Sequence, residues 1–330
     1  MGRVRNNFRS LLLDYPLFAS EKDIDLALWK YCFYRQIEDY RKQLNKLAKS
    51  TIEKNEQDRD TLLQIEAQFQ ILLSKADYFY VLLMHELEEK LAHDDKDESI
   101  FNIRQKSIYS CLVYLGDIAR YKETSKEPKN WDIAEKYYEQ ASFLCPDHGN
   151  AQNQLALIAS YRKEDFVAVY RYFRCLILSS DLSQRADVAR AAENISHIFR
   201  DNFNAFKSLD LAAISRSNND SVSDKKKKLS KAHSFIVLFI RLQGMFYDSI
   251  RQNKQGKEIK QLVDFASRCI PIILNEYDVL LRAAVFGELM LVRMTVNCLF
   301  SIHFAKESNS DSKSIIGSLA LSFFFGLVKL

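Results

Sequence analysis

Apolar residues recur at steps of three and four along most of the chain, the spacing that lines one face of a helix. From Ile24 to Lys49 they are Trp29, Phe33, Ile37, Tyr40, Leu44 and Leu47, and Ser20 with the acidic Glu21 and Asp23 suits a helix start. From Thr61 to Leu91 the rhythm holds through Leu62, Ile65, Phe69, Leu72, Ala76, Phe79, Leu83 and Leu87, and the charged run His93 to Glu98 then closes the helix in a solvated loop. A third helix leads through Ile108 into the stretch Cys111–Asp181, which contains a repeat. Ala134, Tyr138, Ala141 and Pro146 are spaced as the second helix of a tetratricopeptide hairpin needs them: small residues admit the partner helix, the aromatic fills the gap, and proline ends the helix. A shift of about 34 residues, the period of that repeat, gives Ala168, Tyr172, Cys175 and Ser180. Leu115-Gly116 and Leu155-Ala156 match as the two first helices, and the first hairpin carries an insertion around Pro128 and Trp131.

Beyond the repeat, Arg185 to Phe206 predicts a helix with Val188, Ala192, Ile195, Ile198 and Phe199 inward. The polar run Ser215–Lys228 ends in four lysines and reads as a linker, a solvated loop in preference to a phosphate or nucleic-acid site. Helical patterning returns with Phe235, Leu238, Phe239, Leu242, Met245 and Phe246, and then Leu262, Phe265, Ala266, Cys269, Ile272 and Ile273, with Pro271 bending or stopping that helix. Leu280 to Phe304 is nearly continuous apolar sequence, which predicts a central helix covered on most sides. A second polar gap, Ser308–Ser314, precedes the apolar run Ile315–Leu330. That run is shorter than the roughly 20 residues of a comfortable membrane span, so it predicts a buried closing helix and no membrane association. The chain stops inside it, which suggests a longer protein.

Composition narrows the class. With 8 Gly and 4 Pro in 330 residues, turn punctuation is too sparse for a β-sandwich or a doubly wound sheet, and the expected class is all-α. A net charge of +4 does not mark a nucleic-acid binder. The cysteines Cys32, Cys111, Cys145, Cys175, Cys269 and Cys298 form no CxxC pair and sit in apolar runs, as buried thiols of a reducing compartment do. The basic N-terminus is not followed by a long apolar region and cleavage site, so secretion is not expected.

Catalytic signatures are missing. The chain has no phosphate-binding glycine loop, no G-x-S-x-G and no H-E-x-x-H, and its histidines (His85, His93, His148, His197, His233, His303) are scattered singly. Neither a catalytic residue, a metal site nor a cofactor is expected, and the chain reads as a non-enzyme. What the helical hairpins offer is a groove for binding. Arg120, in the segment GDIARY (Gly116–Tyr121), has two open readings: a local pair with Asp117, worth little, or a guanidinium aimed at phosphate. Asn153, at the start of the next hairpin, could add a hydrogen bond.

The segments CLVYLGDIARY, AEKYYEQA, the proline-to-NQLA stretch and VYRYFRCL, with ALWKYCFYRQI at Ala27–Ile37, resemble the nonsense-mediated decay factors Smg-five and Smg-seven and the yeast telomerase-associated Est-one proteins. The similarity spans most of residues 24–206; the C-terminal third matches more loosely, at Asn297–Phe304. The resemblance implies a 14-3-3-like tetratricopeptide array, over residues 1–210, followed by a helical-hairpin extension, over 230–330; the polar linker read from composition falls between them at 211–229. The resemblance also implies a phosphoserine-type groove, a paralogous Smg subunit as heterodimer partner, and a phosphorylated RNA helicase as client. A phosphatase or the mRNA decay machinery would be a further partner, and the location cytoplasmic with nuclear shuttling. GDIARY is similar to the Gly-Asp-x-x-Arg-Tyr of 14-3-3 proteins, which carries phosphate binding onto Arg120 and Tyr121, and onto Asn153 through NQLA. The family's early phosphate-binding lysine aligns with Tyr34. On a regular helix Lys30 and Arg41 share Tyr34's flank while Arg35 turns away, so Lys30 is preferred to Arg35 as a second cation. Tyr34, the insertion before Trp131 and the lysine-rich linker lean toward Smg-five. The alternatives are a telomerase-associated RNA-binding relative and a repeat scaffold without phosphate preference.

Overall fold

The computed structural model describes residues 2–49, 56–93, 97–178, 185–211, 214, 225–306 and 311–329. Every regular element among them is a helix, as the hydrophobic period requires, and the array has the 14-3-3-like all-α fold. The chain forms two compact units, Met1–Leu155 and Ala156–Leu330.

The first unit contains α1 (Gly2–Asp14), α2 (Pro16–Glu21), α3 (Ile24–Trp29), α4 (Arg35–Lys49), α5 (Glu56–His93), α6 (Glu98–Lys122), α7 (Asp132–Leu144) and the start of α8 (Gly149–Tyr161). The stripe expected over Ile24–Lys49 forms as α3 and α4, but one π turn, Lys30–Tyr34, joins them. Its wider winding adds a residue and rotates the face of α3 against that of α4. Asp97 caps α6 by accepting from the amides of Ser99 (2.9 Å) and Ile100 (3.2 Å). The core is aromatic: Trp29 stacks on Tyr114 at 4.6 Å, and Tyr80 lies 5.4 Å from Phe33 and 5.3 Å from Tyr114. In the first repeat Ala134, Tyr138 and Ala141 are all buried, and the chain leaves α7 just before Pro146. The insertion is the connection between α6 and α7, and it returns Trp131 to the core.

The second unit holds the rest of α8, α9 (Asp165–Leu178), α10 (Arg185–Lys207), α11 (Lys225–Arg251), α12 (Lys257–Arg282), α13 (Glu288–Lys306) and α14 (Asp311–Val328). Ala168, Tyr172 and Cys175 of the second repeat are buried as the spacing requires, whereas Ser180 and Asp181 lie outside the described residues. Phe173 stacks on Phe300 at 3.9 Å, and Phe235, Phe239 and Phe246 complete the core.

Three expectations change. Lys225–Lys228 are not linker but the first turn of α11, where the apolar period that begins at Phe235 extends the helix backward; the rest of the expected linker, residues 215–224, lies outside the described residues. The apolar run Leu280–Phe304 is two helices, because Ala284 takes a left-handed φ of 50° and Gly287 comes after it, before α13 begins. Pro271 neither stops α12 nor ends its buried face, which continues from Cys269 to Ile273. The helix α13 is long and apolar enough to cross a membrane by composition, yet its Asn297, Cys298, Phe300 and Ser301 are buried in the unit's core. The compact units divide at Leu155 and Ala156, inside α8.

Candidate functional site

The GDIARY segment forms the last turns of α6, and its first residue sets the geometry of the others. A Cβ on Gly116 would stand 2.4 Å from Cε1 of Tyr138, so only glycine lets α7 lay that ring against α6. The Tyr138 hydroxyl then donates to Asp117 Oδ1 at 2.7 Å and accepts from Arg120 Nε at 3.3 Å. Arg120 Nη2 donates to the same Asp117 oxygen at 2.8 Å. The three residues are buried, the Arg120 side chain to 8% exposure. Burial pushes the Tyr138 hydroxyl far above its ordinary range, with the Asp117 charge adding to it, so it stays a proton donor to the carboxylate.

A second arginine enters from α4. The Tyr121 ring lies 4.6 Å from Cζ of Arg120 and 4.8 Å from Cζ of Arg41, so one ring serves two guanidiniums. Arg41 is paired with Glu38 on its own helix. Tyr34 stands beside them; burial raises its hydroxyl, with the charge of Glu38 adding to it. Burial likewise raises Tyr121, against the lowering influence of Arg120 and Arg41. The cluster thus holds two cations, two carboxylates and three tyrosines, and each arginine has its own carboxylate.

Arg120 and Tyr121 therefore come together as the sequence suggested, but Lys30 and Arg35 do not join them in these contacts. Both lie exposed over the Tyr31 ring, Lys30 Nζ at 5.9 Å and Arg35 Cζ at 4.4 Å from its centre. The π turn explains the difference: flank arithmetic on a regular helix loses its phase across Lys30–Tyr34, while Tyr34 and Arg41, both at or after its end, keep theirs. Asn153 is buried in α8, and its side-chain oxygen meets no hydrogen-bond donor. Sequence reasoning read Tyr138 as repeat packing and missed its hydroxyl; its neighbour Gly116, one turn from Arg120, was the available signal. No group of three or more His, Cys, Asp or Glu placed to hold a metal occurs among the described residues. The six cysteines are buried and none is in a disulfide, and burial pushes Cys145 up to about 11 and Cys298 up to about 12, where thiols are unreactive at neutral pH.

Fold and cluster define a class: an all-helical repeat protein whose polar chemistry is a framework of arginine, tyrosine and carboxylate. Comparison with known proteins gives the family. The family described as Est1 DNA/RNA binding domain matches residues 134–330, and that described as telomerase activating protein Est1 matches residues 23–126. The chain is 32% identical over 200 residues to the nonsense-mediated mRNA decay factor SMG7 of Arabidopsis thaliana, covering 52% of this chain and 19% of that protein. It is 31% identical over 186 residues to the telomerase-binding protein EST1A of Danio rerio, covering 53% of this chain and 11% of that one. The structure of the C. elegans SMG5-SMG7 complex superposes with a TM-score of 0.53 at 13% identity, covering 99% of this chain and 70% of the matched chain. This chain belongs to the Est1-like family that contains the Smg-five and Smg-seven proteins. It spans about a fifth or less of the length of these two relatives, and the matches do not separate an Smg-five from an Smg-seven.

Proposed function

We propose that the chain is part of a non-enzymatic adaptor of nonsense-mediated mRNA decay that pairs with a paralogous Smg subunit and binds a phosphorylated RNA helicase, in the cytoplasm. The observation that carries this reading is the family match across both units. The first unit's cluster supports the phosphate part of it. Arg120 is too well held by Asp117 and Tyr138 to be the flexible contact. Arg41, whose side chain is 36% exposed, is the group that meets the ligand, exchanging Glu38 for phosphate while Arg120 backs the Tyr121 ring. Arg120→Glu is a poor test, because it sets a second carboxylate against buried Asp117. Arg41→Gln is the better one. A pull-down with and without phosphatase treatment tests the client: loss of a helicase partner after dephosphorylation supports the reading, and an unchanged partner set sinks its phosphate part.

A second reading is a telomerase-associated RNA-binding subunit, favoured by the match of residues 23–126 to the Est1 description and by the EST1A similarity. Tight single-stranded RNA binding with a steep salt dependence would support it.

A further inference from the structure

Arg120 of the first unit is held by acceptors of its own protein, but the Nε of a half-buried arginine in the second unit is not. Arg241 on α11 lies with Cζ 4.4 Å from the Phe203 ring and 5.9 Å from both Phe206 and Phe265. Its Nε is buried and meets no hydrogen-bond acceptor, and it makes no ion pair among the described residues. Rings hold a guanidinium's plane but do not replace an acceptor for a buried N–H, so leaving Nε without one is costly unless an acceptor arrives. Burial accordingly lowers the Arg241 pKa.

The side chain lines a cleft of about 620 Å³ between α10 and α11. Two more arginines flank it. Arg251 is anchored through Nη1 to the Ala192 carbonyl (3.1 Å) and Ser196 Oγ (3.2 Å), and Arg200 reaches His197 Nδ1 at 3.2 Å. The one acidic lining residue is Asp248, which forms no ion pair with any of them among the described residues.

We propose that this cleft is a second anion site of the chain, independent of the first-unit cluster, and that it takes a phosphate monoester on a protein, held by the planar fork of Arg241. Charge selects that occupant. Three arginines and one aspartate leave two positive charges in the cleft, which match a phosphomonoester of roughly −1.5 to −2 at neutral pH. A nucleic-acid strand instead needs a cationic track along several phosphates. The exposed length of α10 alternates sign, with Asp187 on Arg190, Glu193 between Arg190 and Arg200, and Asp201 after Arg200.

The test is fluorescence polarisation with the full chain, using a labelled phosphoserine peptide pool with randomised flanks, the same pool without phosphate, and a 20-nucleotide single-stranded RNA. All variants carry Arg41→Gln, so that the first-unit cluster does not contribute. The phosphorylated pool should bind at least tenfold more tightly than its unphosphorylated counterpart. Arg241→Gln should remove that difference, and Asp248→Asn should strengthen binding severalfold. Circular dichroism melts show whether each variant is folded; should Arg241→Gln not fold, Asp248→Asn alone decides. Equal binding of both pools, no response to either substitution, or an effect confined to the RNA would overturn the proposal.

Discussion

Gly116 and Tyr138 show how much a single position decides. Because a Cβ at 116 would overlap the Tyr138 ring, Gly116→Ala should cost about 1–3 kcal/mol in urea unfolding and release the hydroxyl that bridges Asp117 and Arg120. An unchanged midpoint would mean the ring moves aside freely. Removing one member of the buried pair is costly because it strands the other charge. Arg120→Ala should destabilise by about 3 kcal/mol or more, and adding Asp117→Ala should recover part of that loss. Strictly additive losses would show the pair is not coupled. Asp248 gives the pH prediction. Burial holds its carboxyl above the ordinary value, so the folded state keeps the proton longer than the unfolded one, and stability falls as pH rises through that interval. Asp248→Asn should therefore match the parent chain at pH 3 and be more stable at pH 7; denaturant titrations at the two values check this, and a gain at pH 3 alone would reverse the sign.

Among the elements, existence and type were legible wherever one face is buried, because the 3.6-residue period is imposed by the core itself. The repeat spacing gave Ala134, Tyr138 and Ala141, and then Ala168, Tyr172 and Cys175, all of them buried. Interruptions were harder to read. A π turn leaves no mark on composition, so Lys30–Tyr34 looked like ordinary helix and misplaced Lys30 relative to Arg41. The break after Arg282 was hidden by the same hydrophobicity that fills α12 and α13. Its marks are Gly287 and an alanine in the left-handed region, which sequence patterns do not flag. Ala284 is strained there by the contact between its Cβ and the backbone, so Ala284→Gly should stabilise the chain by about 1 kcal/mol in thermal or urea unfolding. A loss of stability would indicate that the Ala284 side chain packs usefully.

For the whole molecule, scarce glycine and proline already excluded sheet architectures, which left the all-α class. The two compact units meet within the continuous helix α8, where no polar linker marks the division in the sequence. The candidate site was half legible. The motif pointed to Arg120 and Tyr121, but whether an arginine is spoken for depends on neighbours distant in sequence: Tyr138 hydroxyl for Arg120, and three phenylalanines without an acceptor for Arg241.

The phosphate part of the adaptor account stands or falls on whether the first unit recognises phosphate. Calorimetric titration of the chain carrying Arg241→Gln with a phosphoserine peptide from the proposed helicase client measures this directly. The account predicts binding that disappears when the peptide is dephosphorylated and weakens at least tenfold with Arg41→Gln. Equal affinity for both peptide forms, or no change on removing Arg41, would contradict it.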